Sequence, residues 1–124
     1  MRVAYIHGSV GRREEFEFYI DYLKITGENE KSYFLEDDED GERGISPRGD
    51  FLSKELDYEA ADDGYSSLYM PGWIKCNSYE VSGSIYALEN ELEKGKSILK
   101  EALLNTLDKE ITHLQLMKTM IEKG

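Results

Sequence analysis

The sequence predicts an α+β fold, in which a small antiparallel β-sheet of two hairpins packs on one long C-terminal helix that also joins copies of the chain. Three observations carry this expectation. The stretch 84–123 contains no proline and repeats its apolar residues every three to four positions. The stretch 1–83 is instead cut into short β-rich runs by Gly, Pro, Asn and Asp. At 124 residues the chain fits one domain with a modest core, divided into a β-rich region (residues 1–83) that carries an acidic loop and a helical region (residues 84–123).

On a helical wheel Ile85, Leu88, Leu92, Leu99, Leu103, Leu107, Leu114, Met117 and Ile121 share one side, widened by Leu104 and Ile111. Ile98, Ala102, Leu116 and Met120 make a thinner stripe on the far side. Gly95 is a poor helix former, yet Leu92 and Leu99 keep one phase across it. One helix of roughly 57 Å is therefore expected, bent if anywhere at Gly95. A domain of this size covers only a portion of such a length. Two stripes imply two neighbours: the chain's own sheet, and a second copy in a coiled-coil-like contact. Ile98, Leu103, Leu107, Leu114, Leu116 and Met120 are the residues expected at the interface between copies, whose number and helix orientation the sequence leaves open.

Taken in order, Arg2 to His7 reads as a first strand and Gly8 to Gly11 as a loop. Residues 15–25 fit either period, and their aromatic and β-branched content favours strand. A turn at 26–29 leads to a partner strand at 31–35, completing a hairpin. The acidic loop 36–42 follows, then a short run at 44–46 before Pro47. Asp50 is placed to cap a short helix from Phe51 to Ala61, ended by Gly64. Two β-rich runs, 65–70 and 73–81, flank Pro71 and Gly72, the pair that a type II turn prefers, giving a second hairpin. Ser84 is the expected N-cap of the long helix.

The net charge of −11 sits almost wholly in one segment. Residues 28–63 hold fourteen acids against four bases, a charge of −10, while 85–124 hold seven acids and six lysines. Such a surface disfavours nucleic acids and anionic membranes and attracts basic partners. Cys76 is the single cysteine, which excludes an intramolecular disulfide and suits a reducing compartment. No apolar run approaches the ~20 residues of a membrane span and the first residues do not read as a signal peptide, so the expectation is a cytoplasmic protein.

No catalytic, cofactor or metal motif is complete. The run at 36–41 places Asp38, Asp40 and Gly41 as a calcium loop would, but the first position is Glu36 and the twelfth is Pro47. Gly8 and Gly11 with Arg12 and Arg13 follow a strand as phosphate loops do, without the Gly-Lys-Ser/Thr ending. His7 and His113 lack ligand spacing, and Cys76 reads as a structural thiol. Arg48, Gly49 and Asp50 spell an integrin-recognition tripeptide by coincidence. Tyr58, Tyr65, Tyr69, Trp73, Tyr79 and Tyr86 serve either as a sheet face against the helix or as an aromatic contact surface. The expectation is a protein that is not an enzyme and needs no cofactor.

In its length, its acidic run Glu36-Asp37-Asp38-Glu39-Asp40 and the missing catalytic motif, the chain resembles the small acidic inhibitors that phages encode against host defences. The resemblance implies a binding protein that uses Glu36, Asp37, Asp38, Glu39, Asp40 and Glu42 to inhibit a basic host protein. In layout the chain is also similar to phage sponge proteins that sequester nucleotide immune signals, cyclic nucleotides or ADP-ribose derivatives. That likeness implies a small-molecule site, for which Arg12, Arg13, Arg43 and Arg48 would supply cations and Tyr69 and Trp73 the stacking faces. A structural, ligand-free oligomer is the third possibility.

Overall fold

The computed structural model describes residues 1–11, 15–37, 43–72 and 74–124. It is a mixed α+β structure, a curled and mostly antiparallel sheet packed against one long C-terminal helix. Its strands are β1 (Arg2–Gly11), β2 (Glu17–Glu28), β3 (Ser32–Leu35), β4 (Phe51–Ser53), β5 (Ser66–Ser67), β6 (Lys75–Cys76) and β7 (Glu80–Leu88). Among the described residues two α-helices join them, α1 (Tyr58–Asp62) and α2 (Leu92–Lys123). Among the described residues the strands form one seven-stranded sheet in the order β5-β4-β3-β2-β1-β7-β6. All neighbours run antiparallel except β4 and β5.

The central strands are buried on both faces, and alternation along each strand sorts residues between two cores. Ala4 and Ile6 of β1, opposite Ala87 and Ile85 of β7, face α2 and meet Leu99 and Leu103. Val3 of β1, opposite Leu23 of β2, faces the other way into a second core with Leu35, Ile45, Leu52 and Leu68. Strands β3 to β5 and the irregular segments around residues 45 and 68 therefore close over the face that the helix leaves open. Residues 17–25 are strand, as their aromatic alternation favours, and Phe18, Ile20 and Tyr22, with Phe16 just before the strand, all pack on the helix side. Asn29 closes the turn into β3, its side chain accepting from the N–H groups of Lys31 and Ser32.

Several sequence expectations are corrected. The boundary between the β-rich and helical regions falls at Leu88, where β7 ends, and not at residue 83. Ser84, Ile85 and Leu88 are strand residues, and α2 begins at Leu92 after a 3-10 turn at Glu89–Glu91. The cause is a coincidence of period. Ile85, Leu88 and Leu92 are spaced as a helix face, while Ile85 and Ala87 alternate with Tyr86 and Leu88 as a strand buried on both sides. Glycines at 8 and 83 lie inside strands and pair with each other, so Gly8 to Gly11 is not a loop. Leu99 reaches over this pair: a Cβ on Gly8 would lie 3.3 Å from one Leu99 methyl, and a Cβ on Gly83 3.4 Å from the other. The second hairpin around Pro71 does not form either. β5 joins β4, whereas β6 adds to β7. Phe51 to Ser53 is strand, so the short helix is only Tyr58–Asp62, capped by Asp57 accepting from the Ala60 N–H.

The single long helix is present and runs through Gly95 without a break. Its residues 92–107 lie on the sheet and bury the row Gly95, Leu99 and Leu103, spaced by four. From Asp108 to Lys123 every residue is exposed, so the last four turns project beyond the sheet.

Candidate functional site

The described acidic surface is built on the β3–β4 side of the sheet. The start of β3 and the exit of β4 frame an open groove of about 620 Å³ lined by Glu30, Lys31, Lys54, Glu55, Leu56, Asp57, Tyr58 and Glu59, with Ser53 at its base. The groove forms because β4 stops at Ser53 and the chain turns away into α1, whose first residue is Tyr58. Leu56 and Tyr58 stand out into solvent at its rim, 51% and 72% exposed. Glu30, Glu55 and Glu59 are exposed beside them. Lys54 is turned inward on its own chain, where it pairs with Glu28 and lies 4.7 Å from the Tyr33 ring centre. The groove thus offers carboxylates around an apolar and aromatic contact, a combination that fits a Lys- or Arg-bearing segment with an apolar neighbour. The sequence carried no signal for it, because its walls come from residues 30–31 and 53–59, which only the β3–β4 pairing brings together.

The residues expected to bind a basic partner are differently placed. Asp38, Glu39, Asp40 and Glu42 lie outside the described residues. Asp37 is exposed. Glu36 is engaged within the chain: it accepts from the Lys24 N–H at 3.1 Å and pairs with Arg43 at 3.1 Å. Those two hydrogen bonds, the backbone one first, hold its carboxyl below the usual glutamate value. Glu36 follows Leu35 at the end of β3, whereas the groove adjoins the start of that strand. The acidity of the middle segment is therefore distributed over both ends of β3.

Of the residues expected to hold a nucleotide, Arg12, Arg13 and Trp73 lie outside the described residues. Arg43 donates to the Tyr22 carbonyl at 2.9 Å and bridges Asp21 and Glu36. Arg48 donates to the Asp63 carbonyl at 2.7 Å and lies over the Tyr65 ring. Arg43 holds its segment to β2, whereas Arg48 ties the segment before β4 to the turn after α1. Tyr69, a non-glycine residue at positive φ, donates its hydroxyl to Glu91 and has the Lys94 ammonium 4.2 Å from its ring centre. It ties the segment before β6 to the start of α2. Tyr86 donates to the Ile45 carbonyl from within the second core. Of the described members of the aromatic set, Tyr58 and Tyr79 are exposed.

Among the described residues, no group of three His, Cys, Asp or Glu converges as metal ligands would, and no helix is long and apolar enough to cross a membrane. Of the expected interface residues, Leu103 is only 4% exposed and Ile98 packs against the same helix-side core, so both serve the chain's own sheet. Leu107 is shared at the margin, while Leu114, Leu116 and Met120 stand free. Comparison of the chain with protein-family models, with curated proteins and with solved structures finds no match.

Proposed function

We propose that this chain is a non-enzymatic binding protein of the acidic anti-defence type, which grips a basic segment of a host protein and blocks it. The observation that carries this reading is the groove at the β3–β4 side, where exposed Leu56 and Tyr58 stand among Glu30, Glu55 and Glu59. Carboxylates alone draw cations of every kind, whereas carboxylates around an apolar centre select a partner with both features. The surplus negative charge of residues 28–63 steers such a partner in and makes its association fall with salt. Engagement of Glu36 by Arg43, and of Glu28 by Lys54, leaves the groove acids as the described carboxylates that combine exposure with a concave surface.

The test is binding of fluorescent peptides that carry Lys or Arg next to an aromatic residue, followed by anisotropy at low and physiological salt. Binding is expected that weakens with salt and is lost on combining Glu55→Gln, Glu59→Gln and Tyr58→Ala. The four-fold neutralisation of Asp37, Asp38, Glu39 and Asp40 is the parallel measurement for the acidic run. Affinity unchanged by the groove substitutions would end this assignment.

A further inference from the structure

The projecting half of α2 carries a seam of its own. Leu104, Leu107, Ile111, Leu114, Lys118 and Ile121 follow one another at steps of three, four, three, four and three. That is the alternation of a coiled-coil seam, and it differs from the four-residue row Gly95, Leu99, Leu103 that faces the sheet. The seam continues the same side of the helix past the point where the sheet ends, with Leu107 and Ile111 following Leu103 at steps of four, so it emerges into solvent as the helix leaves the sheet. Leu104, Ile111, Leu114 and Ile121 are all at least half exposed, Ile121 at 79%. Sixteen residues of helix without tertiary packing are marginally stable in water, since isolated helices need ~12–15 residues even with the best formers. Thr112 and Thr119, both weak helix formers, lie in this half.

We infer that a second copy of this chain covers the seam, with the two helices antiparallel and crossing between Ile111 and Leu114. Three observations select this occupant and this orientation. Laid antiparallel about that point, the seam is self-complementary. Leu104 meets the partner's Ile121, Leu107 meets the partner's Lys118, and Ile111 meets the partner's Leu114, so each layer joins one seam position to the other kind. Charge gives the second observation. A parallel pair would set Lys118 against the partner's Lys118 inside an apolar seam, whereas the antiparallel pair sets it beside the partner's Leu107 with the partner's Glu110 one turn along. A parallel pair would also bring two sheet domains of like negative charge to the same end, and the antiparallel pair holds them at opposite ends.

The third observation is a groove of about 210 Å³ where α2 leaves the sheet, walled by Val10, Phe16, Val81, Leu103, Leu104 and Leu107. Its lining is almost wholly apolar, with Lys100 at its edge. In the antiparallel register the partner's Ile121, opposite Leu104, arrives at this groove. The last turn of one helix thus completes the helix-side core of the other molecule. The site is incomplete in a single chain, and the two-fold operation fills both grooves at once. This arrangement stands apart from what the acidic groove holds.

Cysteine cross-linking in a Cys76→Ser background of the full chain tests it. Leu104→Cys and Ile121→Cys are made separately; both positions are exposed in the single chain, so the fold tolerates them. Under mild oxidation the mixture of the two is expected to give a species of twice the 14.3 kDa chain mass, and neither variant alone to do so. Self-linked species from each variant alone would mean a parallel pair and overturn the orientation. A monomeric mass for the uncross-linked protein by light scattering would overturn the pair itself. Leu114→Glu is the second variant: it is expected to abolish the dimer while the sheet domain stays folded, and a dimer that survives it would place the contact elsewhere.

Discussion

Gly95 lies directly against Ala87: a Cβ built on Gly95 would come within 2.7 Å of the Ala87 Cβ and 2.8 Å of the Ile6 Cδ1. Here α2 lies close on the sheet, over the pairing of Ala4 with Ala87 and Ile6 with Ile85. Glycine is a poor helix former, so its presence in the second turn of α2 costs ~1 kcal/mol relative to alanine. The close helix–sheet contact is what that cost secures.

Gly95→Ala is therefore expected to destabilise, although the same substitution stabilises an isolated helix. The Ala87 Cβ is fixed to strand backbone and cannot yield, so helix and sheet must separate, and overpacking of this kind costs ~1–3 kcal/mol. Chemical denaturation reads the loss. Adding Ala87→Gly to Gly95→Ala is expected to restore some of it, by returning the space. Undiminished stability in the single variant would show that the helix rides higher on the sheet.

Alkaline pH is expected to unfold the protein through two half-buried tyrosines. Burial first, then the hydrogen bond to Glu91, push the Tyr69 hydroxyl up from an ordinary 10 to about 12. Burial first, then neighbouring Tyr5, also raise Tyr86. The sign follows from linkage: the unfolded chain loses these protons near pH 10 while the folded chain retains them, so stability is full below about 10 and falls as pH rises towards 12. Tyr69→Phe is expected to flatten that fall. A denaturation midpoint with the same pH dependence in wild type and variant would remove Tyr69 from this role.

The helix was legible because Leu99, Leu103 and Leu107 repeat within one element, so period alone reveals them. Its start was not, because Ile85 and Leu88 satisfy both periods, and only pairing of β7 with β1 decides between them. Gly8 looked like a loop residue for a related reason, and Gly83 is the strand residue it pairs with. Their smallness answers to Leu99, which lies far away in sequence. Leu103 and Leu114 share a face on a wheel, and nothing local says that the sheet ends between them. The groove at the β3–β4 side is wholly non-local, since Glu30 and Tyr58 become neighbours only through β3–β4 pairing.

Lys118 interrupts an otherwise apolar seam, and its replacement separates affinity from orientation. Lys118→Leu removes the like-charge penalty that disfavours a parallel pair and adds apolar surface to every layer that contains it. The expected outcome is tighter association, read by sedimentation, together with self-linking of Leu104→Cys that the parent does not show. Weaker association would mean that Lys118 makes a favourable ion pair that outweighs the apolar gain.

Leu103 and Leu114 lie eleven residues apart on α2, and the structure gives them opposite work. Leu103 is buried against Gly83 and the helix-side core, whereas Leu114 is 60% exposed in the single chain. Leu103→Ala empties a packed site and is expected to cost about 2–5 kcal/mol of stability, the range for such truncations. Leu114→Ala removes no contact within the chain, so at high dilution its denaturation curve is expected to match that of the parent. At higher concentration the order changes. The parent gains stability by mass action as copies pair, and Leu114→Ala loses that gain. Denaturation midpoints measured across protein concentration therefore distinguish the two leucines: a parallel downward offset for Leu103→Ala, and a lost concentration dependence for Leu114→Ala. Equal offsets at all concentrations for both would show that the distal helix folds back on its own sheet.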